Sequence, residues 1–271
     1  MPNMTPLPTL FLSHGSHMLA LEDKPTSHFL RGLHASLPRP RAILVASAHW
    51  ETPEPELLGS PAPETFHDFY GFPEALYRLQ YPAPGDPALA ARAAELLVAA
   101  GFSASVHPTW PRDHGAWNPL LLMYPEATIP VIQLSVQPGR DARHHYALGR
   151  ALTPLTHEGV MILGSGNLTH NLREAFRAMQ HASRHDAETP AWVSAFAEWV
   201  AARVAAQEID ALLDWQRAAP HARENHPTPE HFLPFFVALG AAGDAATPTR
   251  LHDAVDLEVL AMDAYRWQGA A

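Results

Sequence analysis

Short apolar, strand-like runs alternate along the chain with longer helix-like segments, the pattern of an α/β fold built on a largely parallel sheet. The strand candidates are residues 9–13, 42–48, 129–136 and 160–164; the helix candidates are 87–100, 142–155, 190–206, 209–216 and 229–241. Asp86-Pro87 and Thr228-Pro229 each set a capping residue ahead of a proline in the first helical turn. Together these elements predict a single-domain three-layer sandwich spanning residues 1–271, with a largely parallel central sheet and helices on both faces. A chain of 271 residues that is 47% hydrophobic has ample material for one such core.

The 27 prolines concentrate between the elements, notably in residues 51–63 and 81–84. Aromatic residues are interleaved with them, which reads as ordered loops over a site rather than as linkers. Residues 65–73, Thr-Phe-His-Asp-Phe-Tyr-Gly-Phe-Pro, are unusually aromatic for a loop. Such a stretch either lines a pocket for a flat apolar ligand or pins the loop to the core, and both readings stand at this level. No internal repeat, low-complexity tract or heptad pattern interrupts the chain.

Charge and composition then remove whole classes of function. A net charge of −10 offers no basic footprint for nucleic acid, and no apolar run is long enough to cross a bilayer. Residues 1–9 lack a basic segment followed by an apolar stretch, so the expectation is a soluble, cytoplasmic protein without a secretory signal. There is no cysteine, which excludes disulfides, thiolate nucleophiles, iron–sulfur clusters and Cys-ligated zinc. Any metal is therefore held by nitrogen and oxygen. The one lysine, Lys24, sits in a turn-like setting and gives poor support to Schiff-base or phosphate chemistry.

Histidine carries the remaining signal, with 18 in the chain. His14, His49 and His170 each follow an apolar strand-like run, and a parallel sheet gathers such strand ends along one edge. They are thus expected to meet in one cleft as a metal or acid/base site. Ser13-His14-Gly15-Ser16 and Ala46-Ser47-Ala48-His49-Trp50 share small residues that permit close approach. The turn Gly164-Ser165-Gly166-Asn167-Leu168-Thr169-His170-Asn171 lets backbone approach a ligand and presents His170 as a base. It lacks the Lys-Ser/Thr of a phosphate loop and the spacing of a dinucleotide fingerprint. His114, in Asp113-His114-Gly115, is a loop-borne imidazole able to bond a substrate oxygen.

In Glu224-Asn225-His226-Pro227-Thr228-Pro229-Glu230-His231, His226 reads as the better ligand. His231 reads as a residue behind the ligands or in the core. His144 and His145 fall in a helix-like segment, His181 and His185 flank a polar turn, and His28, His34, His107, His157, His221 and His252 show no partner pattern. His17 and His67 neighbour candidate site segments and stay open. Arg78 and Arg112 are candidates to pair with a substrate carboxylate.

These motifs, with His67-Asp68-Phe69-Tyr70-Gly71-Phe72-Pro73 and His226-Pro227-Thr228-Pro229-Glu230-His231, closely resemble the class III extradiol ring-cleavage dioxygenases of the LigB type, DOPA 4,5-dioxygenase branch. The likeness runs in order from about Pro8 to Gly240, and only the last thirty or so residues add little. It implies a single α/β domain in which a non-haem metal, Fe(II) in active enzymes and often Zn(II) in isolated ones, opens a catechol such as DOPA with O₂. By that likeness His14, His49 and His226 are the metal ligands, His170 is the base that takes a catechol proton, and His114 assists oxygen. The candidate substrate contacts are His67, Phe69, Tyr70 and His231. LigB-type enzymes proper use a carboxylate as third ligand, whereas the matching position here is imidazole. His170 is the alternative for completing the coordination sphere, which would leave the base unassigned.

The implied partners are a small aromatic diol and O₂, with a homodimer compatible with exposed apolar helices. Two rivals share the residues. Three imidazoles on zinc with an open water position also describe a hydrolase using His170 or Glu230 as base, and a metal-containing binding protein without turnover keeps the same cleft.

Overall fold

Alternation at a period of two decides the two faces of the central sheet. In β2 (Ala42–Glu51), Ala42, Leu44 and Ala46 join one buried cluster while Ile43 and Val45 join another. A strand buried on both faces is the mark of a parallel sheet covered by helices on either side. The structure, a computed structural model, describes residues 5–180 and 188–269. His181 and His185 lie outside the described residues.

The other strands are β1 (Thr9–Ser13), β3 (Glu56–Leu58), β4 (Ser105–His107), β5 (Val131–Val136), β6 (Val160–Gly166), β7 (Thr247–His252), β8 (Val255–Asp256), β9 (Leu260–Ala261) and β10 (Ala264–Gln268). Eight form one sheet in the order β4-β3-β5-β2-β6-β1-β10-β7. Its centre, β5-β2-β6-β1, is parallel, and β10 and β7 continue it antiparallel. The expected α/β architecture is therefore present. The C-terminal strands, which the sequence reading left aside, complete it: Leu10, Phe11 and Leu12 of β1 pair with Arg266, Tyr265 and Ala264 of β10.

On one face lie α3 (Pro87–Ala99), α5 (Ala142–His157) and α11 (Leu233–Ala241). α5 and α11 approach so closely that a Cβ on Gly149 would stand 2.1 Å from the Val237 carbonyl oxygen, and one on Gly240 2.1 Å from that of Tyr146. On the other face α1 (Pro25–Leu33) packs on α4 (His114–Met123), and α7 (Ala191–Ala205) covers the C-terminal strands. The expected helix at 209–216 breaks at Asp214 into α8 (Ile209–Leu213) and α9 (Trp215–Ala218). The expected helix at 229–241 begins only at Leu233. Short turns α2 (Glu74–Tyr77) and α10 (Ala222–Asn225) and the helix α6 (Leu172–Gln180) complete the set. Among the described residues no helix is long and apolar enough to cross a membrane.

Candidate metal centre

β1 delivers His14 to the carboxyl edge of the sheet, where the chain must turn at once. Gly15 takes a φ of +62°, the left-handed region that favours glycine, and a Cβ there would meet the Met262 methyl at 2.5 Å. The turn is held by the His14 N–H donating to the Gly166 carbonyl (2.8 Å) and the Gly15 N–H to Asn167 Oδ1 (2.9 Å). His49 lies inside the far end of β2, where pairing with β5 becomes irregular between Ala46 and Glu51. There its side chain turns toward His14.

The third imidazole is His231. His49 Nε2 is 3.1 Å from His14 Nε2 and 3.3 Å from His231 Nε2. Nitrogens bound to one ion at about 2.0–2.1 Å stand roughly 2.9–3.4 Å apart for coordination angles between octahedral and tetrahedral, so both separations fit. The tautomers fit as well. The Ser165 hydroxyl donates to the Gly115 carbonyl, so its oxygen accepts from His14 Nδ1 (3.0 Å). Glu230 Oε1 accepts from His231 Nδ1 at 2.9 Å. Both rings therefore turn an Nε2 lone pair inward. Burial, and then neighbouring imidazoles, hold His14, His49 and His231 well below the usual histidine range, so all three are neutral. Converging lone pairs on neutral rings have the donor chemistry to hold a cation.

His226 takes a different place from the one the sequence reading gave it. Its Nε2 donates to the Leu168 carbonyl (2.8 Å), and its ring stacks on Phe232, 5.1 Å between centroids and 16° between planes, with Trp215 and Phe196 beside it. That nitrogen is occupied, and the ring belongs to an aromatic cluster rather than to the group formed by His14 and His49. His231 comes forward instead because β6 ends in glycines. A Cβ on Gly166 would lie 2.0 Å from the His231 carbonyl oxygen, and the Asn167 N–H donates to that same carbonyl (2.9 Å). The small residues of the 164–171 turn thus admit the segment entering α11.

His170 lies flat on His231, with its backbone N–H bonded to the Asn225 carbonyl (2.8 Å). Burial, then the nearby His226, pushes its pKa down to about 3, which leaves the ring neutral. His114 opens α4 behind the N-cap Asp113. Its ring packs against His49 (3.9 Å between centroids) and His17 (4.0 Å), and Asp68 binds its Nδ1 (2.8 Å). Burial alone would raise the Asp68 pKa, but the hydrogen bonds from His114, its electrostatic attraction and the backbone N–H of Asp68 together lower it. Asp113, buried between Ser47 and Gln133, anchors the start of α4 against β2 and β5.

The aromatic segment divides. Phe69 is buried against His17 and His114, and His67 Nε2 bonds the Leu79 carbonyl (3.1 Å). Tyr70 is 92% exposed. Neither arginine candidate is free for a carboxylate. Arg112 is fully buried, donating to the carbonyls of Tyr81, Ala83 and Val131, and Arg78 is paired at the surface with Glu74. His17, left open by its sequence context, joins the site through its ring contacts with His114, Phe69 and Phe72.

Comparison with known proteins identifies the family. Residues 8–257 match the family described as the catalytic LigB subunit of aromatic ring-opening dioxygenase. The chain is 42% identical over 264 residues to a 4,5-DOPA dioxygenase extradiol of Beta vulgaris, covering 96% of each. It is 42% identical to that of Escherichia coli (strain K12), covering 88% of this chain and 86% of the relative. A crystal structure of an uncharacterized protein from Escherichia coli K12 superposes with a TM-score of 0.79 at 34% identity, covering 96% of this chain and 99% of that one.

Proposed function

This chain belongs to the LigB family of aromatic ring-opening dioxygenases and is an extradiol ring-cleaving enzyme; we propose that His14, His49 and His231 hold one Fe(II) ion, within a single catalytic domain, to open a catechol of the DOPA type. The observation that carries the ligand set is the approach of three neutral Nε2 atoms, 3.1 and 3.3 Å apart. Bound there, Fe(II) supplies a Lewis acid for a catechol hydroxyl and a redox centre for O₂, which zinc lacks. With three protein ligands, such an ion would keep coordination positions for both substrates.

The chain's own groups do the rest. His170, kept neutral by burial, is in the form that accepts a proton from the second catechol hydroxyl. Glu230, bonded to His231 Nδ1 and 3.9 Å from His170 Nδ1, gives that pair a common hydrogen-bonding neighbour. His114 stands beside His49, 3.9 Å between ring centroids, where it can meet the oxygen of O₂ or of the opening ring. Phe69, Phe72 and His17 wall the cleft with flat groups suited to an aromatic ring. The hydrolase and non-catalytic readings are not favoured, since the family match extends over most of the chain.

The test is anaerobic reconstitution with Fe(II) or Zn(II), followed by a panel of catechols, oxygen-electrode recording and a visible-absorbance assay for a yellow ring-opened product. Turnover with iron and none with zinc is expected. Equal turnover with zinc would overturn the assignment.

A further inference from the structure

Asp68, a carboxylate outside the proposed ligand set, reaches two of the site imidazoles, as Glu230 does on the side of His231 and His170. Asp68, in the aromatic segment, accepts from the His114 backbone N–H through Oδ1 (3.0 Å) and from His114 Nδ1 through Oδ2 (2.8 Å). The same Oδ2 lies 3.7 Å from His49 Nδ1. Its side chain is 13% exposed and that of His114 1%. The aromatic segment that presents it is itself held down, by the Phe66 N–H on the Arg112 carbonyl (2.7 Å) and the Trp117 indole N–H on the Phe66 carbonyl (2.8 Å).

We propose that Asp68 is a positioning residue: by clamping His114 at two atoms it fixes the Nδ1–H tautomer, so that Nε2 is the nitrogen His114 offers to the reacting oxygen. A carboxylate only accepts, so the nitrogen facing it carries the proton, and a neutral imidazole has one proton to place. The bond to the backbone N–H of the same residue ties the carboxylate to the first turn of α4, where the helix dipole favours a negative charge. The two bonds together hold the ring against rotation about its side-chain torsions. At His49 the 3.7 Å separation exceeds a hydrogen bond, and the effect is that of a nearby negative charge on the Nδ1 side. Since His49 Nε2 faces His14 and His231, its proton also belongs on Nδ1. One residue therefore favours the same tautomer in a proposed ligand and in the imidazole beside it, the arrangement by which outer carboxylates orient histidines at metal centres.

The part of His114 in ring cleavage rests on the function proposed above; the tautomer does not. The decisive measurement is long-range ¹H–¹⁵N correlation of the imidazoles in zinc-loaded protein labelled with ¹⁵N-histidine, with the His114 signals identified by their absence in His114→Gln. In the native chain His114 should be the Nδ1–H form. Asp68→Asn, whose amide can donate to Nδ1, should convert it to Nε2–H. With iron bound, the variant should lose about 10- to 100-fold in kcat while KM stays within about threefold. A native His114 in the Nε2–H form overturns the inference even if the variant does not fold. So does an unchanged tautomer in Asp68→Asn accompanied by a lower melting temperature, the signature of a purely structural residue. Absence of ring cleavage in the native protein with intact tautomers overturns the functional reading and leaves Asp68 in place.

Discussion

The imidazoles of His170 and His231 lie face to face, 3.4 Å between ring centroids and 15° between planes. Each reaches this position from a separate part of the fold, His170 from the turn after β6 and His231 from the segment that enters α11. The stack puts the proposed base directly over a proposed ligand. Both rings are neutral, so the contact is not a repulsion between charges. Glu230 lies at the edge of both rings, bonded to one and 3.9 Å from the other.

Replacing His170 removes the base while leaving His14, His49 and His231 in place. His170→Ala should bind metal with the native stoichiometry yet lose about 100- to 10,000-fold in kcat, the usual contribution of a positioned acid or base. Metal content by elemental analysis and oxygen uptake on the same sample check this. Loss of metal together with turnover would make His170 a ligand.

His231 and His226 should separate cleanly. His231→Ala is expected to abolish stoichiometric metal binding. His226→Ala should keep the metal but lose about 2–4 kcal/mol of stability, because it deletes a ring packed among Phe196, Trp215 and Phe232 and the bond to the Leu168 carbonyl. Chelator competition and urea unfolding of the two variants read both quantities. A metal lost in His226→Ala and kept in His231→Ala would reverse the assignment.

The contrast between these two histidines marks the limit of sequence reading here. His14 and His49 were legible because each lies at the end of an apolar strand, and parallel strands end on one edge. The third imidazole depends on which face of the 224–231 segment packs inward, and proline-rich irregular chain has no periodicity to reveal that. Two signals did exist. Gly164 and Gly166 leave room for the backbone of the segment entering α11, and Glu230 supplies an adjacent acceptor for His231 Nδ1. The parallel centre of the sheet followed from its apolar runs, whereas β7 and β10 escaped notice because Thr-Pro-Thr-Arg-Leu-His and Ala-Tyr-Arg-Trp-Gln mix polar and apolar residues. Arg112 looked like a carboxylate binder by residue type, but its partners are backbone carbonyls distant in sequence.

Gly166→Ala tests the link between β6 and the third imidazole. The added methyl would stand 2.0 Å from the His231 carbonyl oxygen, and backbone cannot swing aside as a flexible side chain can. The segment entering α11 must retreat, carrying His231 away from His14 and His49. The expected result is a loss of about 1–3 kcal/mol in stability together with weaker metal binding. Gly32→Ala, where a methyl meets nothing within 4 Å, serves as the control in the same unfolding and chelator assays.

Acid sensitivity should have a component remote from the metal centre. His145 is fully buried; its Nδ1 donates to the Asp141 carbonyl (2.9 Å) and its Nε2 accepts from the Gln137 N–H (3.1 Å). Burial pushes its pKa down to about 4, against 6.5 for the free side chain. Between those values the unfolded chain takes up a proton that the folded chain refuses. The stability tied to this ring is therefore complete above the unfolded pKa and is lost as pH falls toward the folded one. The loss is about 2 kcal/mol by roughly pH 5 and about 3 kcal/mol by roughly pH 4. His145→Gln, which cannot charge, should flatten the fall in urea-unfolding free energy between roughly pH 7.5 and 5 by about 2 kcal/mol, whatever its stability at the upper pH. Parallel pH profiles for the native and variant chains would show that His145 does not carry the effect.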